Sequence, residues 1–209
     1  TGDAEFNEIF LNDVRIPQEN VFGDVGGGWA AAVTTLMNER VALGGGVPKQ
    51  GSGAIGDLVE IWKERKDSMD EISSSVMRDR ITELWIQAEA LRLTNWRARE
   101  GSKSGNPGPE GSVGKLMSAE MNQKIYELCM EIIGPEALTF EAGYERNRAE
   151  GSSFARGSSL KYSFLRSRAN TIEGGTSEVM RNILGERVLG LPGDVRVDKE
   201  VNWVDVPRN

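Results

Sequence analysis

The sequence predicts a mainly α chain, an antiparallel up-and-down helix bundle with a short β remnant in front. Three observations carry that expectation. Apolar residues recur at three- and four-residue steps over several long stretches, which is the period of one helix face. Clusters of glycine, proline and serine punctuate those stretches. The β-branched and aromatic character of a strand is confined to the opening residues.

Residues 4–16 form that opening strand, with Phe6, Ile9, Phe10, Val14 and Ile16 as candidates for burial and Pro17 as its end. Gly23 to Gly28 read as a loop. From Trp29 the period turns helical, through Val33, Leu36 and Leu43, until Gly44-Gly45-Gly46 and Pro48 interrupt it. A second helix is expected over about 50–66, with Ile55, Leu58, Val59 and Trp62 inward. A third spans about 74–100, its face made by Met77, Ile81, Leu84, Ala88, Leu91 and Asn95-Trp96. Gly101 to Gly111 is a Ser-, Pro- and Gly-rich loop. The fourth helix, about 112–133, carries Leu116, Ala119, Ile125, Leu128, Cys129 and Ile132 on its apolar stripe, and Gly134-Pro135 stops it. Residues 139–171 are polar and Arg-rich, a loop with one short helix near 157–167. The last helix follows Thr176 and ends by Gly190 or Pro192. Helices of this length with short connections pack as an up-and-down bundle.

Composition narrows the chemistry. A chain of 209 residues is long enough to bury one good core. Its net charge of −7 gives no electrostatic reason to bind nucleic acid or an anionic membrane. No apolar run approaches the roughly 18 residues of a membrane span, and no basic-then-apolar leader opens the chain. The single cysteine, Cys129, forms no internal disulfide, and the cytoplasm is the expected compartment. There is no histidine. Ser-His-Asp and Cys-His catalysis and histidine-ligated metals are therefore excluded, and a general base must be a carboxylate, Lys, Tyr or the cysteine.

The richest stretch is Ile172-Glu173-Gly174-Gly175-Thr176-Ser177-Glu178-Val179, continuing through Met180-Arg181-Asn182-Ile183-Leu184 to Arg187-Val188-Leu189-Gly190-Leu191-Pro192. A carboxylate, a flexible turn and two hydroxyls lead into a helix, whose first turn has unpaired N–H donors. This wording closely resembles the C-terminal signature of the acyl-CoA dehydrogenases. Phe6-Asn7-Glu8-Ile9-Phe10-Leu11-Asn12-Asp13-Val14-Arg15-Ile16-Pro17 resembles the last strand of that family's β domain. Gly28-Trp29 and Leu36-Met37-Asn38-Glu39-Arg40 resemble the opening helix of its C-terminal bundle. The resemblance implies that residues 1–27 end the β domain, 28–192 form the helical bundle domain and 193–209 a polar tail. The family's N-terminal helical domain and most of its β domain have no counterpart here.

The resemblance also implies a reaction: a carboxylate removes the α-proton of an acyl-CoA thioester while the β-hydride passes to FAD. The family places that base either before the Gly-Thr of the last helix or on the first bundle helix before an arginine. Glu39, followed by Arg40, fills the second location. Ungapped alignment puts Gly174 at the first location and Glu173 one residue early. Glu39 lies on one helical stripe with Ala32, Leu36 and Leu43; its alternative is a boundary glutamate paired with a cation. Both glutamates stay open, and Arg40 is either a substrate-orienting cation or a structural ion pair. Thr176 and Glu178 match flavin contacts, with helix capping the alternative for Thr176. Glu131-Ile132-Ile133-Gly134 resembles the segment that touches FAD from a neighbouring subunit, with Glu131 where glutamine is usual and Pro135 where a second glycine is usual. The family's Arg-x-x-Phe-Gly motif is absent, and Arg78, in Met77-Arg78-Asp79-Arg80, is the candidate replacement. Gly108-Pro109-Glu110-Gly111-Ser112 with Lys115-Leu116 resembles a bacterial subgroup lacking that motif. Expected partners are an acyl-CoA, an electron-transfer flavoprotein or similar acceptor, and sister subunits in a homotetramer or heterotetramer. The alternative is a non-catalytic partner subunit or oligomerisation module.

Overall fold

The computed structural model describes residues 7–43, 47–102, 111–139, 159–193, 195, 197, 198 and 201–206. The side chains of Met37 and of residues 39–43 lie outside the described set. Among the described residues there are six α-helices: α1 (Gly28–Leu43), α2 (Ala54–Arg65), α3 (Glu71–Ser102), α4 (Gly111–Ile133), α5 (Leu160–Ser167) and α6 (Ser177–Ile183). A π-helical turn, Leu184–Val188, extends α6. The helical class is as expected, and the bounds of α2 to α4 fall within a few residues of those read from periodicity.

Local chemistry explains where these helices start. Asp70 caps α3, its Oδ1 accepting from the Ser73 N–H at 2.9 Å and its Oδ2 from the Ser73 hydroxyl at 2.6 Å. Ser159 caps α5 by accepting from the Tyr162 N–H at 3.2 Å.

α4 is the central helix. α2, α3, α5 and α6 all pack on it. Its partners along α2 advance in the same direction, from Asp57–Tyr126 to Arg65–Glu136. Along α3 they run the opposite way: Arg80 pairs with Glu131, whereas Leu91 and Asn95 face Ser118 and Met121 across one cavity. α5 is antiparallel to α4 as well, since Gln123 reaches Ser167 and Asn122 reaches Asn170. The core between α2, α3 and α4 is built from Ile55, Leu58, Ile61, Ile81, Leu84, Ile125, Leu128, Cys129 and Ile132. Each of its large aliphatic side chains contributes about 1.5–3 kcal/mol by leaving water.

Two expectations change. None of the described residues is assigned to a strand, and residues 7–17 run as irregular chain up to a 3-10 turn at Gln18–Asn20. A strand needs a neighbour to complete its ladder, and this segment has none among the described residues. Ile9, Phe10, Val14 and Ile16 are accordingly exposed; Phe6 lies outside the described residues. The second change is in α1, where Trp29 is 79% exposed and Leu36 45% exposed. α1 meets α4, and no second layer among the described residues covers Trp29 or Leu36.

Candidate active site

The signature stretch folds as a turn between α5 and α6. After α5, a 3-10 turn over Arg168–Thr171 leads to Gly174 and Gly175, both left-handed at φ +62° and +97°. Left-handed backbone is costly for a residue with a Cβ. At Gly175 space is short too, because a Cβ would stand 2.6 Å from Cε of the fully buried Met180. Thr176 then caps α6, its hydroxyl accepting from the Val179 N–H at 3.3 Å. The capping alternative for Thr176 is thus realised in the fold.

Glu173 sits on this turn in a network of donors. Arg166 grips it with two nitrogens, at 3.1 Å to Oε1 and 2.8 Å to Oε2, and the Asn170 amide donates to Oε1 at 3.0 Å. The Arg166 hydrogen bonds, more than burial opposes them, hold the Glu173 carboxyl below the ordinary carboxylate range; Asn170 and Lys115 act in the same direction. A carboxylate so held is a poor proton acceptor. Lys115 of α4 reaches the same turn: its ammonium donates to the carbonyls of Asn170 and Gly175, each at 2.7 Å.

Beside the turn lies a groove of about 560 Å³, lined by Gln123, Lys124, Thr176, Ser177, Glu178 and Arg181 among others. Ser177 is buried, and its hydroxyl has no hydrogen-bond partner among the described residues. Glu120 and Glu127 line the same groove with Glu178, and Arg181 pairs with Glu120, so the lining is polar and mixed in charge and does not by itself select an anion. Glu178 is exposed on the first turn of α6, where its own N–H and the Thr176 hydroxyl hold its carboxyl low.

The opposite end of α4 is different. Glu131 pairs with Arg80, which keeps its carboxyl charged and low. Gly134 ends α4 at φ +71°, with open space where a Cβ would go, so the backbone and not crowding calls for glycine there. Nearby, Arg65 pairs with Glu136 at 2.6 Å. Both arginines are committed to carboxylates, and Glu131 offers no donor. This end does not fit a pyrophosphate. The candidate Arg78 is exposed on α3; it is Arg80, one half-turn on, that meets Glu131.

The candidates therefore fall into three groups. Glu173, Thr176 and Glu178 stand together on the turn. Glu131 and Gly134 stand at the far end of α4, with Arg78 on the neighbouring helix. Glu39 and Arg40 lie in α1, and their side chains are outside the described residues. Sequence reasoning missed the parts played by Lys115, Arg166 and Asn170. Arg166 falls in the short helix expected near 157–167, but nothing in the sequence names its partner, and the burial of Lys115 is set by a turn 55–60 residues away.

Comparison with known proteins agrees with the fold. Residues 26–189 match the family model "Acyl-CoA dehydrogenase, C-terminal domain". The chain is 34% identical over 196 residues to the acyl-CoA dehydrogenase IpdE1 of Mycobacterium tuberculosis, spanning 94% of this chain and 46% of that one. It is 36% identical to the acyl-CoA dehydrogenase FadE34 of the same organism, over 92% of this chain and 24% of that one. The chain thus spans less than half the length of these relatives. Among solved structures, the ChsE4-ChsE5 complex from Mycobacterium tuberculosis superposes with a TM-score of 0.66 at 27% identity, over 89% of this chain and 46% of that chain. A glutaryl-coenzyme A dehydrogenase bound to glutaryl-CoA shares the fold, with a TM-score of 0.66 at 18% identity, over 88% of this chain and 43% of that chain. The chain belongs to the acyl-CoA dehydrogenase family.

Proposed function

We propose that this chain is the C-terminal part of an FAD-dependent enzyme that oxidises an acyl-CoA thioester between its α and β carbons. In this reading residues 1–27 close a β domain, 28–192 form the bundle and 193–209 are a tail. The observation that carries it is the Glu173–Thr176 turn, built by two left-handed glycines, braced by Lys115 and bordering a polar groove. Thr176 and Glu178 are the residues of this turn that would meet FAD. FAD, when bound, supplies the hydride acceptor.

Glu39 is the base in this proposal. Glu173 is already engaged, its two oxygens accepting from Arg166 and Asn170. Glu39 takes the α-proton, and Arg40 next to it orders the thioester or the helix. Glu173 then braces the turn instead of reacting. An electron-transfer flavoprotein or similar protein would be the electron acceptor, and the cytoplasm would be the compartment. Among the described residues no helix is long and apolar enough to cross a membrane.

The chain would assemble as a homotetramer or heterotetramer, a reading supported by its likeness to the ChsE4-ChsE5 complex, in which two different chains associate. A second reading, a partner subunit without its own chemistry, is favoured by the Arg80–Glu131 pair, which leaves no donor for a neighbour's pyrophosphate. The test is to purify the longest native polypeptide carrying this chain and measure its flavin content and the bleaching of that flavin by a panel of acyl-CoA esters. Bound FAD bleached by an acyl-CoA is expected. A flavin-free preparation that takes up no added FAD, yet assembles with a flavin-bearing sister chain, would favour the partner subunit.

A further inference from the structure

We infer that Lys115 is a positioning residue: its buried ammonium ties the Asn170–Gly175 turn to α4 and so fixes where Glu173 and Thr176 stand. The inference rests, for its functional meaning, on the reading proposed above. Lys115 is 5% exposed, in a helical stretch it shares with buried Ser112, Gly114 and Ala119. Burying an ammonium is expensive unless it is well hydrogen-bonded. Here it donates to two carbonyls at 2.7 Å, one at each end of the turn. These are charge-assisted bonds, stronger than ordinary amide pairs.

The identity of the acceptors matters. Both are backbone oxygens, so the lysine reads the conformation of the turn and not any side chain on it. The Gly175 carbonyl is presented by a residue at φ +97°, a geometry that glycine alone adopts easily. Two further groups complete the brace. The Asn122 amide meets the Asn170 side chain at 3.4 Å, and the Gln123 amide donates to the Thr171 hydroxyl at 3.0 Å. Lys115, Asn122 and Gln123 thus fasten one side of α4 to the turn. Burial pushes the Lys115 ammonium's pKa down, and the nearby Glu173 carboxylate opposes that shift.

The bundle core does not need this lysine, because Ile125, Leu128 and Cys129 pack it further along α4. A clamp on the turn and a staple for the whole bundle therefore predict different exchange patterns. Lys115→Met, Lys115→Gln and the exposed control Lys63→Met are made in the longest native polypeptide. Amide hydrogen exchange is followed for residues 171–176 and for α2 and α4, and FAD alone is titrated into each protein. Lys115→Met is expected to speed exchange at 171–176 at least tenfold, with α2 unchanged and FAD binding weakened tenfold or more. Lys63→Met changes neither.

Unchanged exchange at the turn overturns the inference. So does acceleration spread equally over α2 and α4 in both Lys115 variants, because the lysine would then hold the bundle. If the parent protein binds no FAD, the functional reading fails while the exchange result still decides the clamp.

Discussion

Gly175→Ala is the sharpest probe of the turn. A Cβ at φ +97° carries a backbone cost of about 1–3 kcal/mol. It would also stand 2.6 Å from Met180 Cε, and Met180 is fully buried, so its sulfur arm must give way inside a packed site. Overpacking of that kind costs about 1–3 kcal/mol. Restricting the unfolded chain returns about 0.4–1 kcal/mol. The net expectation is a loss of about 2–4 kcal/mol. Gly134→Ala supplies the reference, because its φ is +71° but nothing lies within 4 Å of the added Cβ. Its net cost is expected at about 0.5–1.5 kcal/mol. Urea unfolding of both variants gives the midpoints, with slopes equal to the parent's so that midpoint shifts translate into stability. If Gly175→Ala costs no more than Gly134→Ala, the crowding at the turn is not what holds a glycine there.

Other expectations follow from the same geometry. Glu173 has a depressed folded-state pKa, so its contribution is present above the ordinary glutamate range, near about 4.3, and is lost as pH falls through the folded value. Stability at pH 7 minus stability at pH 3 should therefore shrink in Glu173→Gln, by about 0.5–1 kcal/mol once its partial exposure is discounted; an undiminished difference would mean the ion pair contributes nothing. Cys129 is buried, and burial pushes its thiol up to about 12, so a thiol reagent should label it only after urea unfolding. Rapid labelling of the native protein would contradict the packing of α4. Ile125→Ala, at a fully buried site, should cost about 2–5 kcal/mol by thermal or urea melting, and a loss under about 1 kcal/mol would mean that site is not the core.

The helices were legible because their burial follows the helical period. Ile55 and Leu58, Ile81 and Leu84, and Ile125, Leu128 and Ile132 stand at three- and four-residue spacings, and each is buried where that spacing puts it. Side-chain type alone marks Ile9, Phe10 and Val14 for burial, but it cannot say whether a neighbour is there to cover them. Trp29 and Leu36 repeat that lesson on α1: periodicity marks a face, and only a second layer buries it.

At the site, the glycine pair and the Thr176 cap were visible as local signals, since φ and capping depend on nearby residues. The Arg166–Glu173 pair was not, although only seven residues separate the partners, because the intervening 3-10 turn decides whether they meet. Lys115 reaches Gly175 across 60 residues, a contact that no local pattern encodes.

The central claim is that Glu39, and not the locked Glu173, takes the proton. The direct measurement is the rate at which an acyl-CoA bleaches the flavin in Glu39→Gln and Glu173→Gln, followed anaerobically in the longest native polypeptide. Loss of a general base costs about 10²–10⁴-fold, so Glu39→Gln should slow bleaching by that factor while Glu173→Gln stays within about tenfold of the parent. Undiminished bleaching in Glu39→Gln, with collapse in Glu173→Gln at unchanged flavin content, would contradict the account.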